Sequence, residues 1–76
     1  MEEEKVLEKF RIFGENVRKY RLQKIMTIKE LSEKTGITER HLNRIENGTA
    51  KRLNVSHIFN LAKSLGILPH ELCKGI

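Results

Sequence analysis

Five polar residues recur at helical spacing in the middle of the chain. They are Glu39, Arg40, Asn43, Arg44 and Asn47, and most of their side chains can donate hydrogen bonds. Because side chains three or four positions apart lie on one face of an α-helix, these groups would form one polar surface. Leu42 and Ile45 fall on the other side of the same helix. The pattern therefore predicts a helix that is buried on one side and offers a hydrogen-bonding surface on the other.

Other side chains could in principle bind a metal or catalyse a reaction, but their spacing favours neither. The soft metal ligands are His41, His57, His70 and Cys73. His70 and Cys73 are three residues apart, yet no second close pair completes a tetrahedral site. The carboxylates mostly stand near lysines or arginines at the spacing of exposed helices, and the sequence lacks a phosphate-cradling glycine motif. We therefore expect no metal, no cofactor and no enzyme activity.

The stretch from Thr27 to Gly48 should position the polar surface. Thr27 lies three residues before Glu30, which is the capping-box pattern in which each side chain satisfies a backbone N–H of the other residue. A short helix should begin there. Gly36 suits the point at which the chain must reverse, because glycine tolerates a positive φ.

A second short helix follows this glycine. Ile37 returns to the core, and Thr38 can cap the helix that carries the polar surface. In the preceding helix Leu31 faces inward, and Ser32 is small enough to let the second helix cross closely. Two short helices joined by a glycine turn, with the second buried on one side only, form a helix-turn-helix.

The motif resembles that of the phage repressor and Cro (XRE) family. The residues that match its inward-facing and small positions are Leu31, Ser32, Gly36, Ile37, Leu42 and Ile45. The sequence RIENG at residues 44–48 is similar to the usual ending of the family motif. With NVRKYR upstream and NLAKSLGILPHEL downstream, the resemblance extends from about Phe13 to Leu72. It implies a compact all-α, five-helix, lambda-repressor-like domain that binds double-stranded DNA and regulates transcription.

The resemblance assigns DNA base contacts to the polar surface of the third helix. Arg40 and Arg44 can each bond both acceptors of a guanine edge. Asn43 can read adenine or contact a phosphate. Glu39 can accept a hydrogen bond from cytosine, orient Arg40, or reinforce the start of the helix.

Four further residues are candidates for contact with DNA phosphates. Lys51 and Arg52 match the basic residues that the family has in the loop after the third helix, although ordinary exposed loop cations would look the same. Thr27 can present its hydroxyl and nearby N–H groups to a phosphate or serve only as a cap. Asn47 can close the third helix or bond a phosphate.

The resemblance also implies one structural contact, and the sequence departs from the family at two positions. Arg21 and Glu46 match positions that form an ion pair between the first and third helices. Ile25 stands where the family usually has a glycine. A β-branched residue resists the left-handed backbone that glycine accepts, so the sequence does not favour the family's geometry at the first turn. Ile28 stands where relatives often have a phosphate-binding glutamine, so one expected contact is absent.

Length and charge agree with one small DNA-binding domain. The chain has 76 residues, one cysteine and a net charge of +5. Residues 1–9 form an acidic extension that we expect to be the start of the first helix. Their four glutamates and two lysines give this segment a charge of −2, which leaves a charge of +7 for the domain at residues 10–76. The acidic N-terminus is unlike a secretory signal, and no apolar stretch is long enough for a membrane span. We expect the protein to act in a reducing cytoplasm.

Three more helices complete the predicted fold. The first should run from about Glu4 to Gln23 and bury Val6, Phe10, Phe13, Val17 and Tyr20. Asn54 can cap a fourth helix, which Gly66 ends. The residues expected on its buried face are Val55, Ile58, Phe59, Ala62 and Leu65. A brief fifth helix should begin at Pro69, with Leu72 inward.

The assembly and two rival functions follow from the same reading. We expect a homodimer on a pseudo-palindromic operator. The candidate interface is apolar and consists of Ile67, Leu68, Cys73 and Ile76.

One rival function is that of an antitoxin, which also binds a toxin protein. The other is a protein-interaction module that keeps the fold without DNA binding, against which the cations Arg40, Arg44, Lys51 and Arg52 argue.

Overall fold

The computed structural model describes residues 2–50 and 52–76, with side chains from Leu7 onward. These residues form five helices and no strand. The helices are α1 (Glu2–Gln23), α2 (Ile28–Thr35), α3 (Glu39–Glu46), α4 (Val55–Leu65) and α5 (Pro69–Leu72). The predicted all-α, five-helix fold is therefore confirmed. No helix in the described residues is both long and apolar enough to cross a membrane.

The short helices begin at the predicted caps. The hydroxyl of Thr27 accepts a hydrogen bond from the backbone N–H of Glu30 at 3.1 Å, and the Glu30 carboxylate accepts one from the Thr27 N–H at 3.2 Å. Thr38 and Asn54 each accept the N–H three residues further on, at 3.1 and 2.8 Å. These bonds satisfy N–H groups that the first turn of a helix leaves without partners, so they fix where each helix begins.

Left-handed residues end two helices and shape the first turn. Gly36 and Gly66 cap α2 and α4 with φ of 75° and 70°. Ile25 also has a positive φ, 53°, and its side chain is 90% exposed. The turn between α1 and α2 thus keeps the geometry that a glycine would adopt, although a β-branched residue occupies the position.

The core forms where α1 packs against α3, α4 and α5, and where α2 packs against α3 and α4. Its fully buried side chains include Val17, Leu31, Leu42, Ile45, Leu61, Leu65 and Leu72. Gly14 of α1 lies against the end of α3. A Cβ at this position would overlap the carbonyl of Ile45 and lie 2.9 Å from the carbonyl oxygen of Glu46. The sequence analysis did not anticipate this contact, in which the missing side chain lets the two backbones approach closely.

The predicted buried face of α4 was wrong at two positions. Val55 and Phe59 are 65% and 57% exposed, whereas Leu61, which the prediction omitted, is fully buried. Successive residues turn by about 100° around a helix, so Leu61 and Leu65 define the centre of the inward stripe and Val55 and Phe59 lie beyond its edge. On α1, Phe13 is buried, Phe10 and Tyr20 are half-buried, and the predicted core side chain of Val6 lies outside the described side chains.

Candidate nucleic-acid interface

The outer side of α3 carries the polar surface that the sequence predicted. Its exposed side chains are Glu39, Arg40, Asn43, Arg44 and Asn47. Leu42 and Ile45 anchor the inner side, with 0% and 1% of their surface exposed. Within the described residues, the side chains of Arg40, Asn43 and Arg44 make no hydrogen bond to the protein. Their donors therefore face solvent from a helix that is fixed from behind.

An ion pair ties the end of α3 to α1. Arg21 donates from Nε and Nη2 to the two carboxylate oxygens of Glu46 at 2.7 and 2.9 Å, and from Nη1 to the carbonyl of Met26 at 2.8 Å. The structure thus contains the pair that the family resemblance implies. The hydrogen bond that Arg21 donates to Glu46 raises the pKa of the Arg21 guanidinium, although burial opposes this effect. The three bonds hold α1, the first turn and α3 in one arrangement.

The segment after α3 folds back onto that helix. The N–H groups of Thr49 and Ala50 donate to the carbonyl of Arg44 at 2.9 and 3.2 Å. An open cavity of about 470 Å³ lies beside this segment, lined by His41, Arg44, Thr49, Ala50 and Arg52. The structure thus brings together Arg44, predicted to contact bases, and Arg52, predicted to contact a phosphate. Lys51, the other predicted phosphate contact in this segment, lies outside the described residues.

The remaining predicted phosphate contacts lie at helix ends. Thr27 is exposed at the start of α2, where its hydroxyl serves the capping box. Asn47 ends α3 through its backbone N–H, which donates to the carbonyl of Asn43 at 3.0 Å, and its side chain is exposed. Asn47 belongs to the polar surface of α3, whereas Thr27 lies at the start of the preceding helix.

Two histidines form a contact that the sequence analysis missed. The rings of His41 on α3 and His57 on α4 lie with centroids 5.3 Å apart, tilted by 57°. Among the residues that the structure describes, His41 Nε2 and His57 Nδ1 are buried and find no hydrogen-bond partner. Each residue lies three positions after a helix cap, but this position does not indicate which helices meet, so the sequence carried no signal for the contact. In the described part of the chain, no three His, Cys, Asp or Glu side chains converge as a metal site would require.

The four residues predicted at a dimer interface differ in exposure. Ile67 and Cys73 are half-buried and pack against the core, whereas Leu68 and Ile76 are 59% and 52% exposed. Ile76 lies beside α1, where it lines a cavity of about 270 Å³ with Ile12. Val55 and Phe59 on α4 add exposed apolar surface that the sequence analysis had assigned to the core.

The fold and its exposed polar helix define a DNA-binding transcriptional regulator of the helix-turn-helix class. The family model described as "Helix-turn-helix" matches residues 17–72, and the chain belongs to this family. A solved relative is the restriction-modification controller protein C.AhdI from Aeromonas hydrophila. It is 27% identical, with a TM-score of 0.79, and the match covers 83% of this chain and 94% of that chain. Among curated proteins, none matches this chain.

Proposed function

We propose that this regulator reads a specific double-stranded DNA sequence with α3. The observation that carries the proposal is the exposed polar side of that helix, where Arg40, Asn43 and Arg44 have no intramolecular hydrogen-bond partner in the described residues. An α-helix fits the major groove of B-DNA, where each base pair presents a distinct pattern of donors and acceptors. The anchored inner side of α3 would hold these side chains in a fixed register.

Each proposed base contact has a chemical role. Arg40 and Arg44 are one turn apart, and each guanidinium can donate two hydrogen bonds to guanine O6 and N7. Asn43 would bond adenine or an adjacent phosphate. Glu39 would accept from cytosine N4 or orient Arg40. The two arginines carry the larger share of the proposed discrimination, because a bidentate contact contributes about 1–3 kcal/mol against the wrong base.

Contacts to the sugar-phosphate backbone would set the position of α3 in the groove. We propose Arg52 and Lys51 for the segment after α3, and Thr27 and Asn47 for the two helix ends. Arg52 supports this role best, because it is exposed and lines the same cavity as Arg44. Such contacts carry affinity and orientation but no direct sequence information.

We propose that the regulator acts as a homodimer on a pseudo-palindromic operator. One short recognition helix contacts only a few base pairs, and a two-fold axis doubles the contacts. The proposed interface contains Ile67, Leu68, Cys73 and Ile76, and the exposure of Val55 and Phe59 favours extending it onto α4. Apolar surface of this kind is typical of subunit interfaces.

The likeness to C.AhdI narrows which genes to test first. That relative is described as a restriction-modification controller, so we propose that this chain controls a restriction-modification gene pair, acting in the cytoplasm as a binding protein and not as an enzyme. The antitoxin alternative gains no support from the comparisons. The interaction-module alternative leaves the exposed Arg40, Arg44 and Arg52 without a purpose.

Selection of bound duplexes from random DNA tests the proposal. The full chain should enrich a sequence with two related half-sites about 34 Å apart, which is about one helical turn. If each subunit neutralises about five phosphates, the slope of log affinity against log salt should be roughly −4 to −5 per half-site. If the selection recovers no consensus sequence, or if the affinity for DNA does not change with salt concentration, the proposal that this chain reads DNA is wrong.

A further inference from the structure

The turn between α1 and α2 presents two apolar side chains to solvent. Leu22 is 53% exposed and Ile25 is 90% exposed, and the N–H of Ile25 donates to the carbonyl of Leu22 at 2.9 Å. Single exposed apolar residues are common on protein surfaces. These two differ because they are adjacent in space along one turn and because the backbone of Ile25 is left-handed.

The conformation of Ile25 is costly for a β-branched residue, although the backbone hydrogen bonds that end α1 support it: the N–H of Ile25 donates to the carbonyl of Leu22, and the N–H of Met26 donates to the carbonyl of Arg21. At a φ of 53° the Cβ of an L-residue crowds its own backbone, and branching at Cβ makes this worse. Glycine or asparagine would take the same conformation more easily. The bonds that hold the turn come from Arg21, which accepts the Met26 N–H on its carbonyl at 3.1 Å and donates to the Met26 carbonyl at 2.8 Å. The helix end explains the backbone conformation but not why an exposed isoleucine stands where a glycine would cost less, and this choice of side chain points to a role outside the fold.

Positive charge surrounds these two apolar side chains. Residues 18–29 contain five cations and no acidic residue. Arg21 is paired with Glu46, and the other four are exposed: Arg18, Lys19, Lys24 and Lys29. We call Leu22, Ile25 and these four cations the turn surface.

Three acidic groups of the neighbouring elements already have partners. Glu30 is held in the capping box of α2, and Glu46 is held by Arg21. Glu71, whose Oε2 lies 3.5 Å from the hydroxyl of Tyr20, accepts the backbone N–H of Leu68 at 3.1 Å. In the described part of the chain, none of the four cations of the turn surface forms a salt bridge, and Lys19 Nζ lies 5.3 Å from the centre of the Tyr20 ring. These charges can therefore meet an external anion.

We propose that the turn surface docks an acidic, amphipathic helix of a partner protein. Apolar side chains on one face of such a helix would cover Leu22 and Ile25, and its carboxylates would meet the surrounding lysines and arginines. A second copy of this chain fits poorly, because a two-fold contact would oppose cation to cation. DNA also fits poorly, because phosphates offer nothing to two apolar side chains.

The position of the turn surface suggests what docking would achieve. It immediately precedes Thr27, and Arg21 joins it to the end of α3 through Met26 and Glu46. A bound partner would be held beside the DNA, and this consequence rests on the proposed function. Docking itself does not, because Leu22 and Ile25 are not among the proposed DNA contacts.

Peptide titration of the isotope-labelled full chain tests the docking. The probe is a synthetic helical peptide with leucines on one face and glutamates on the other. Amide resonances of residues 22–26 should shift and saturate. A peptide of the same composition in scrambled order, and one with lysine in place of glutamate, should leave them unchanged. Equal shifts with the scrambled peptide would reduce the effect to charge alone and overturn the proposal.

Variants at the turn separate docking from folding. Ile25→Asn and Ile25→Gly tolerate the left-handed backbone, so their melting temperature should be unchanged or raised, whereas peptide affinity should fall by about tenfold or more. Leu7→Asn is a control at another exposed apolar side chain of α1, and this variant should bind the peptide normally. Unaltered peptide affinity of Ile25→Asn would overturn the proposal.

Two further outcomes would assign the surface to another occupant and also overturn it. These are a loss of DNA affinity in Ile25→Asn, and a loss of self-association in Ile25→Asn measured by sedimentation. Failure of the DNA selection described above would leave the peptide result standing, so the two proposals can fail separately.

Discussion

Arg21 of α1 and Glu46 of α3 form a two-point ion pair, with only 12% and 6% of their side-chain surface exposed. Removing one partner would leave the other charge buried without compensation. We expect Arg21→Met to lower the free energy of unfolding by about 3 kcal/mol or more, measured by urea denaturation. The double variant Arg21→Met/Glu46→Leu should recover much of this loss. A single variant as stable as the wild type would contradict the anchoring role.

The same pair should give no pH dependence near neutrality through Arg21. The pKa of Arg21 is raised in the folded protein. The contribution of this group to the free energy of unfolding is therefore fully present below the pKa that Arg21 has in the unfolded chain, and it is lost only as the pH rises through the pKa of the folded state. Both values lie far above neutral pH. Within the pH range in which the domain is handled, Arg21 stays charged.

Gly14→Ala should disturb both stability and DNA binding. The added methyl group would meet the backbone carbonyls at the end of α3, and backbone cannot move aside as a flexible side chain can. We expect a loss of about 1–3 kcal/mol, or roughly 4–8 °C in melting temperature for each kcal/mol. DNA affinity should fall at temperatures at which the variant is still folded, because α3 is displaced.

Gly66→Ala is the matched control for this prediction. At this glycine a Cβ would approach only the end of the Lys24 side chain, at 3.5 Å, so the cost comes from the positive φ. Its melting temperature should fall while its DNA affinity stays normal. Equal DNA affinity in both variants would show that Gly14 does not set the position of α3.

Arg44 should distinguish base reading from charge alone. Arg44→Ala should lose about 1–3 kcal/mol on the selected sequence and much less on random duplex. Arg44→Lys keeps the charge but lacks the planar fork, so it should also lose preference for the selected sequence. Arg52→Ala should instead weaken binding to both duplexes by similar factors. If equilibrium titrations show that Arg44→Lys keeps the full preference for the selected sequence over random duplex, Arg44 contacts a phosphate and not a base.

The proposed dimer should respond to charge in its apolar surface. Phe59→Lys or Leu68→Lys should shift the protein toward monomer in sedimentation and weaken binding to a full operator more than to one half-site. Leu22→Lys changes a side chain of similar exposure elsewhere and should leave the association state unchanged. A wild-type monomer at high micromolar concentration, with one subunit per operator, would rule out the dimer.

The sequence predicted what depends on local chemistry and failed where distant segments meet. Thr27, Thr38 and Asn54 were identifiable as caps because a cap needs only a side-chain oxygen and the next helical turn. The exposure of Val55 and Phe59 was not predictable, because their apolar character fits either a core or an interface. The role of Gly14 depends on a backbone about thirty residues away, which no periodicity in α1 reveals.

The candidate site was predictable to a similar extent. The polar side of α3 follows from helical spacing, and the positions of Arg40 and Arg44 on it follow with it. The cavity that joins Arg44 to Arg52 depends on how the segment after Gly48 folds back, which the sequence does not determine locally. Ile25 was recognised as a departure, but only the structure places it in the left-handed region with its side chain in solvent.

The helix that would read DNA is only eight residues long. A peptide of that length has almost no helical content in water, because starting a helix costs more than so few turns return. The recognition surface therefore has no existence apart from the packed domain, and it should be gained and lost with the whole molecule in a single cooperative step. A regulator built this way would lose its operator when it unfolds and would not linger on DNA as a partly folded remnant, so heat or proteolysis would switch off DNA recognition and the fold together.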